Sequence, residues 1–400
     1  MNLNTQKTGP SYVEFVIIVS LMMSLTALSI DVMLPALTQI GTDLSVQNPN
    51  DRQLIVSILF LGLALGQLFF GPLSDKTGRK PAIFGGYALF VAGALTSAFS
   101  TSFPMMLMGR FLQGMGVSAP RAVTLALVRD RYEGRAMAQV MSFVMTVFIL
   151  VPMIAPSLGQ AILLFAGWRS IFVALVVMAL GTLLWFALRM PESLPQDQRA
   201  PFSIKRIVTA TLEVLRIRTS LGYTVSAGLV SGAFIGYLNT SQQIFQELYA
   251  LGERFPIYFG VIAFSIGLAS FLNARLVVRF GMRFLVRWSL IVIFALACVG
   301  LGIALMTAGQ PPLWFLMTYL MLTFFGVGIL FGNQNSLAME PLGHLAGIGA
   351  AVVGSLSTLI SMPFGTIIGQ YYNGTVLPII MGLGILALLS IFVVRWAEAD

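Results

Sequence analysis

Two charged residues stand in runs of sequence that otherwise hold almost no charge. Asp31 lies near the end of Ser20-Leu-Met-Met-Ser-Leu-Thr-Ala-Leu-Ser-Ile-Asp-Val-Met-Leu-Pro35, and Arg110 opens Arg110-Phe-Leu-Gln-Gly-Met-Gly116. A charge surrounded by lipid-length apolar sequence is expensive and marks an ion path, a substrate contact or a buried partner. A carboxylate can trade a proton for a cation. A guanidinium stays charged and can pair with a carboxylate, a substrate anion or backbone carbonyls. Helical stepping puts Ser20, Ser24, Ala27 and Asp31 on one face, and Arg110 with Gln113 on another.

The elements that must hold these residues are membrane helices. Only 10% of the 400 residues are Asp, Glu, Lys or Arg, 57% are apolar, and the mean hydropathy is +0.89, outside the range of soluble globular domains. A spanning helix needs about 20 mostly apolar residues. Twelve such runs begin near positions 13, 53, 81, 103, 137, 165, 219, 255, 286, 312, 347 and 376. They lack the period-two alternation of barrel strands, so the expected fold is an all-α integral membrane protein. The first run has a nearly neutral flank and no small-residue cleavage site after it, and reads as an uncleaved helix.

Orientation follows from the basic residues. With both termini cytoplasmic, the outer connections hold only Arg52, Arg169 and Arg254, while Lys76, Arg79, Lys80, Arg129, Arg131, Arg135, Arg275, Arg279 and Arg283 fall inside. This asymmetry accounts for the net charge of +8, so no nucleic-acid partner is expected. Cys298 has no cysteine partner and reads as a packing residue.

A polar stretch with Pro191, Pro195 and Pro201 follows the sixth run and leads into a basic amphipathic piece around Ile204 to Ile217. The expected organisation is a six-helix bundle over 1–190, a cytoplasmic linker over 191–218 partly on the membrane surface, and a second six-helix bundle over 219–400. Gly71-Pro-Leu-Ser-Asp-Lys-Thr-Gly-Arg-Lys80 has a worn counterpart in Ala274-Arg-Leu-Val-Val-Arg-Phe-Gly-Met-Arg283, with Leu73 and Gly78 matching Leu276 and Gly281. Duplicated halves are the build of a secondary transporter, with its site near the midplane where the repeats meet.

The motif Gly71 to Lys80 resembles the signature between helices two and three of the major facilitator superfamily, and Arg110 to Gly116 is similar to its fourth-helix signature. Ser29-Ile-Asp-Val-Met-Leu-Pro-Ala-Leu37 and Gly167-Trp-Arg-Ser-Ile-Phe172 resemble the Bcr/CflA group of drug:proton antiporters. The resemblance implies two pseudo-symmetric six-helix bundles in a bacterial inner membrane, and a monomer that exports drug-like molecules in exchange for protons. Val151-Pro-Met-Ile-Ala-Pro-Ser-Leu-Gly-Gln160 is similar to the antiporter signature, but Ala155 and Gln160 stand where glycines are usual.

Each motif has a physical reading. Gly71, Asp75, Gly78, Arg79 and Lys80 suit a conformational latch: the glycines allow close approach and a tight turn, and Asp75 can meet Arg79 or the dipole of a neighbouring helix, with helix eleven the expected neighbour. The plainer alternative is that Arg79 and Lys80 only fix topology. Pro152 and Pro156 each remove a backbone donor and bend helix five, while Gly159 permits tight packing; whether the kink has directional meaning stays open. Asp31 and Arg110 fall at similar heights on antiparallel helices, so Asp31 is either the proton-coupling carboxylate regulated by Arg110 or its permanently ionised partner. Glu14 sits at the opposite end of the first helix.

Softer cavity candidates are Ser24 and Gln113, Tyr237, Asn239, Gln242 and Gln243 in the outer part of helix seven, and Asn333, Gln334 and Asn335 near the inner end of helix ten. The 30 Phe and 21 Met suit a pliable apolar cavity. His344 has no serine or cysteine partner that spacing would place. No Cys/His metal pattern or phosphate-cradling loop occurs, so the expectation is a non-enzymatic transporter without cofactor or metal, driven by a proton gradient, with sodium open. A proton-coupled carrier of a sugar or organic acid, with Arg110 binding the acid, and a membrane receptor without turnover remain the alternatives.

Overall fold

The computed structural model describes residues 9–399, and every regular element among them is helical. Twelve of these helices are long and apolar enough to cross a membrane. We number them α1 (Tyr12–Asp31), α2 (Leu54–Thr77), α3 (Arg79–Ala98), α4 (Phe103–Arg131), α5 (Gly134–Ala166), α6 (Arg169–Arg189), α7 (Arg218–Gln242), α8 (Phe255–Phe280), α9 (Met282–Met306), α10 (Leu313–Met339), α11 (Ala346–Gln370) and α12 (Leu377–Glu398). Their starts fall within a few residues of the apolar runs, because length and hydropathy decide where a helix can satisfy its backbone in lipid. With an even number of crossings both chain ends lie on one side, here called the termini side.

Local chemistry sets the helix ends. Ser11 caps α1 by accepting from the Glu14 amide at 3.3 Å. Pro35 has no N–H to offer the Asp31 carbonyl, so α1 stops at Asp31 and continues as a 3-10 turn, Leu34–Ala36, and a short helix, Leu37–Asp43. The helix therefore breaks where its only deep charge sits. Gly78 between α2 and α3 and Gly281 between α8 and α9 share one backbone shape, φ/ψ of 102°/165° and 79°/154°. The sequence repeat is thus a repeat in backbone geometry.

The side chains that hold the first six helices to the last six concentrate at the far side. Arg52 bonds Glu247 at 2.7 Å and Thr38 at 3.0 Å. Asn50 donates to the carbonyls of Gln370 and Tyr372 at 3.0 and 2.8 Å and accepts from Gln243 at 3.0 Å, while Gln53 donates to Gln243. Glu247 and Gln243 lie in a π-helical turn, Gln243–Leu248, that extends α7, a distortion that often accompanies functional sites. This network joins the two sets of helices at the far side.

Between α6 and α7 runs a linker helix, Ile204–Arg216, capped by Ser203. Ala210 and Val214 are buried, whereas Ile204, Val208, Leu212 and Leu215 form an exposed apolar stripe. Its Glu213 meets His344 at 2.6 Å, a partner that spacing did not place. Cys298, expected as a packing residue, is exposed on the outer surface of α9. Outward-facing positions of spanning helices need only be apolar, so the apolar run around Cys298 said nothing about which way it points.

Candidate functional site

Asp31 is 4% exposed, and its Oδ1 is buried with no hydrogen-bond partner. It forms no ion pair among the described residues. Two surroundings hold it in place. On one side α5 is pressed against the end of α1: a Cβ at Gly159 would stand 1.8 Å from the Val32 carbonyl oxygen, so only glycine fits, and Pro152 and Pro156 precede it inside the same helix. On the other side α7 contacts the Leu34–Ala36 turn that follows Asp31, and carries Tyr237. Its ring stacks on Phe259 at 5.6 Å and tilts against Phe324 at 4.7 Å, and its hydroxyl is buried without a partner.

Arg110 is fully buried but is not the ion-pair partner of Asp31. Its guanidinium donates to the carbonyls of Ser29 at 2.8 Å and Ile55 at 3.0 Å and to Gln113 Oε1 at 2.8 Å. The Ser29 carbonyl belongs to the last turn of α1, where carbonyls lack helical donors and the helix dipole favours a cation. Arg110 therefore caps the helix that carries Asp31. It reaches α2 because α4 and α2 touch backbone to backbone: a Cβ at Gly114 would lie 2.0 Å from the Leu59 carbonyl oxygen. The two charges fall at one height, as antiparallel helices require, but the guanidinium points at backbone. Of the three kinds of partner open to it, carbonyls and one amide take every bond it makes.

Of the softer candidates, Gln113 keeps an unpartnered buried Nε2 beside Arg110. Ser24 donates to the Ser20 carbonyl at 2.7 Å, a helix-internal bond. Asn239 crosses between the two sets of helices, donating to Ser57 and the Gly365 carbonyl at 3.0 Å each. Asn333 is removed from this group: it exchanges amide hydrogen bonds with Asn273 of α8 at 2.8 and 3.4 Å and lies about 13 Å along α10 from Phe324 by helical rise. Gln334 donates to Ser226 at 2.7 Å. The structure thus brings Arg110 and Gln113 to the end of α1 that carries Asp31, while Asn333 bonds Asn273 of α8.

At the termini side Arg79 is buried and takes both Asp75 at 2.6 Å and Asp130 at 2.9 Å. Glu192 accepts from the amides of Arg79 and Lys80 at 2.8 and 3.1 Å, capping α3, and Lys80 Nζ donates to the Ala187 carbonyl at 3.0 Å. A Cβ at Gly78, already at positive φ, would meet Glu192 at 2.5 Å. Asp75 therefore pairs with Arg79; α2 meets α11 through Gly71, whose Cβ would lie 3.7 Å from Ala351, and through the Ala64 carbonyl, which accepts from Ser355 at 2.7 Å. Glu14 bonds Arg189 at 2.6 Å, distant from Asp31. Spacing gave no hint of Asp130, Glu192 or the Arg52–Glu247 pair, although Arg52 stood out as one of few far-side bases.

Comparison with known proteins places this arrangement. The chain is 31% identical over 365 residues to an uncharacterized MFS-type transporter, YdgK, of Bacillus subtilis, covering 90% of each. It is 27% identical over 384 residues to the bicyclomycin resistance protein homolog of Haemophilus influenzae, covering 94% of each. It is also 27% identical over 327 residues to the multidrug resistance protein MdtL of Escherichia coli, covering 81% of this chain and 80% of the relative. Among solved structures, a D-xylose-proton symporter superposes with TM-score 0.74 at 15% identity, covering 96% and 97% of the two chains. The human organic anion transporter MFSD10 gives 0.70 at 19%, covering 96% and 100%. The profile of the Major Facilitator Superfamily matches residues 19–366, and the chain belongs to that family of membrane transporters.

Proposed function

We propose that this protein exports amphipathic drugs across the bacterial inner membrane in exchange for protons, by alternating access. The observation that carries the reading is Asp31: a buried carboxylate that forms no ion pair among the described residues and keeps an unpartnered Oδ1. Low dielectric penalises a lone charge, so a proton or a cationic substrate neutralises it, and the two compete for one group. Each guanidinium nitrogen of Arg110 already donates to the protein, which favours a cationic over an acidic ligand. The aromatic cluster of Tyr237, Phe259 and Phe324 offers faces that suit such a ligand. The names of the Haemophilus and Escherichia relatives, bicyclomycin and multidrug resistance, support the substrate class.

The distribution of bases supports a cytoplasmic termini side; in this reading substrate loads from within while the far-side network holds the outer entrance shut. Residues 1–190 and 219–400 act as the two rocking bundles of a monomer, and the linker helix rests its apolar stripe on the cytoplasmic leaflet. Gly71, Asp75, Gly78, Arg79 and Lys80, now with Asp130 and Glu192, form the latch that sets the cytoplasmic spacing. No cofactor is needed; a charge crossing roughly 100 mV gains about 2.3 kcal/mol.

Everted membrane vesicles test this reading. With an acid interior, adding cationic drugs one by one is expected to discharge the pH gradient in vesicles carrying the protein. A panel in which sugars or organic acids discharge it and drugs do not would replace the reading with a metabolite carrier.

A further inference from the structure

The far side holds a second recess that the transport site does not use. A cavity of about 410 Å³ opens between the two sets of helices, walled by Thr38 and Gln39 after α1, by Leu163 and Leu164 at the end of α5, and by Glu247 and Glu253 beyond α7. Its size falls within the range of small-molecule sites. No lysine or arginine lines it, and Glu253 makes no ion pair among the described residues. Arg52 approaches Glu247 from behind the wall, and its buried Nε has no partner.

We infer that this recess is a far-side binding station for amphipathic monovalent cations, which contact Glu253 and Glu247 and lay an apolar body against Leu163 and Leu164. The chemistry is complementary on each wall: two carboxylates line the recess while Arg52 and Arg254 stand outside its lining, amides and a hydroxyl give adaptable polar contacts, and the leucines supply apolar area. A ligand here competes with Arg52 for Glu247. Arg52 and Glu247 are the ion pair that ties the two sets of helices at this end, so occupation of the recess loosens the closed entrance. The inference takes only its ligand class from the proposed function and needs no proton exchange.

Labelling of a single cysteine tests it. In Cys298→Ala/Gln39→Cys protein, purified in detergent, tetraphenylphosphonium is expected to slow maleimide reaction at position 39. Glu253→Gln should raise the half-protecting concentration roughly fivefold, the scale of one partly exposed charge contact. Protection should persist in Asp31→Asn, which removes the carboxylate of the transport site. Absence of protection, equal protection in Glu253→Gln, or loss of protection in Asp31→Asn would each overturn the inference. If protection survives while drug-driven proton exchange is absent from vesicles, the recess stands and the transport reading falls.

Discussion

Arg110 grips the carbonyl oxygen of Ser29 at 2.8 Å and leaves Asp31, two residues further along, with an unpartnered carboxylate oxygen. The arginine holds the end of α1, and in the proposed mechanism the aspartate beside it is the exchanging charge.

The anchor role predicts how Arg110 variants fail. Arg110→Met removes the donor from Ser29 and Ile55, and each buried polar group left unsatisfied costs about 1–3 kcal/mol. Thermal unfolding in detergent should fall by several degrees, and Arg110→Lys should recover only part because an ammonium lacks the fork that spans three acceptors. Folded Arg110→Lys protein should bind cationic drug within about twofold of the parent; a large affinity loss with unchanged unfolding temperature would make Arg110 a substrate contact instead.

Gly159 offers a steric test. A methyl group there must displace the Val32 carbonyl, so Gly159→Ala should destabilise by roughly 1–3 kcal/mol, whereas Gly181→Ala, with nothing within 4 Å of its Cβ, should leave the unfolding midpoint unchanged. Equal midpoints for both variants would mean that α5 is not packed against the end of α1.

Latch residues should act on cycling. Asp75→Ala frees one side of Arg79, and Glu192→Gln weakens the cap on α3. Both are expected to lower turnover severalfold with drug affinity nearly unchanged, measured as exchange rate and equilibrium binding on the same preparation. An affinity collapse at normal turnover would remove the latch from the mechanism.

The Arg52–Glu247 pair predicts a conformational bias. Glu247→Gln weakens the tie between the two sets of helices, so a cysteine at Ser57, buried beneath the network, should react faster with an aqueous thiol reagent than in the parent protein. Unchanged reactivity would show that the amide contacts of Asn50 and Gln243 close the far side alone.

Much of this was legible in the chain. Apolar length located the twelve helices, since lipid leaves the backbone no alternative, and the Gly78 and Gly281 repeat announced two turns of one shape. Helical rise put Asp31 and Arg110 at one height. What spacing does not encode is the rotation of one helix against another and the orphan carbonyls created where Pro35 stops α1. Those carbonyls, unseen in a pattern of side chains, took Arg110 away from Asp31. Asn333 illustrates the same point: its partner Asn273 lies on a helix 60 residues earlier, and nothing local reveals which helices touch. Glu192 and Asp130 were similarly hidden, because the latch is completed by segments distant in sequence.

The central claim is that proton and cationic substrate compete for Asp31, and proton release on binding tests it most directly. Purified protein in weakly buffered detergent solution, mixed with tetraphenylphosphonium beside a pH indicator, should release protons in proportion to drug bound, and Asp31→Asn should release none while remaining folded. Equal proton release from the Asp31→Asn protein would contradict the account.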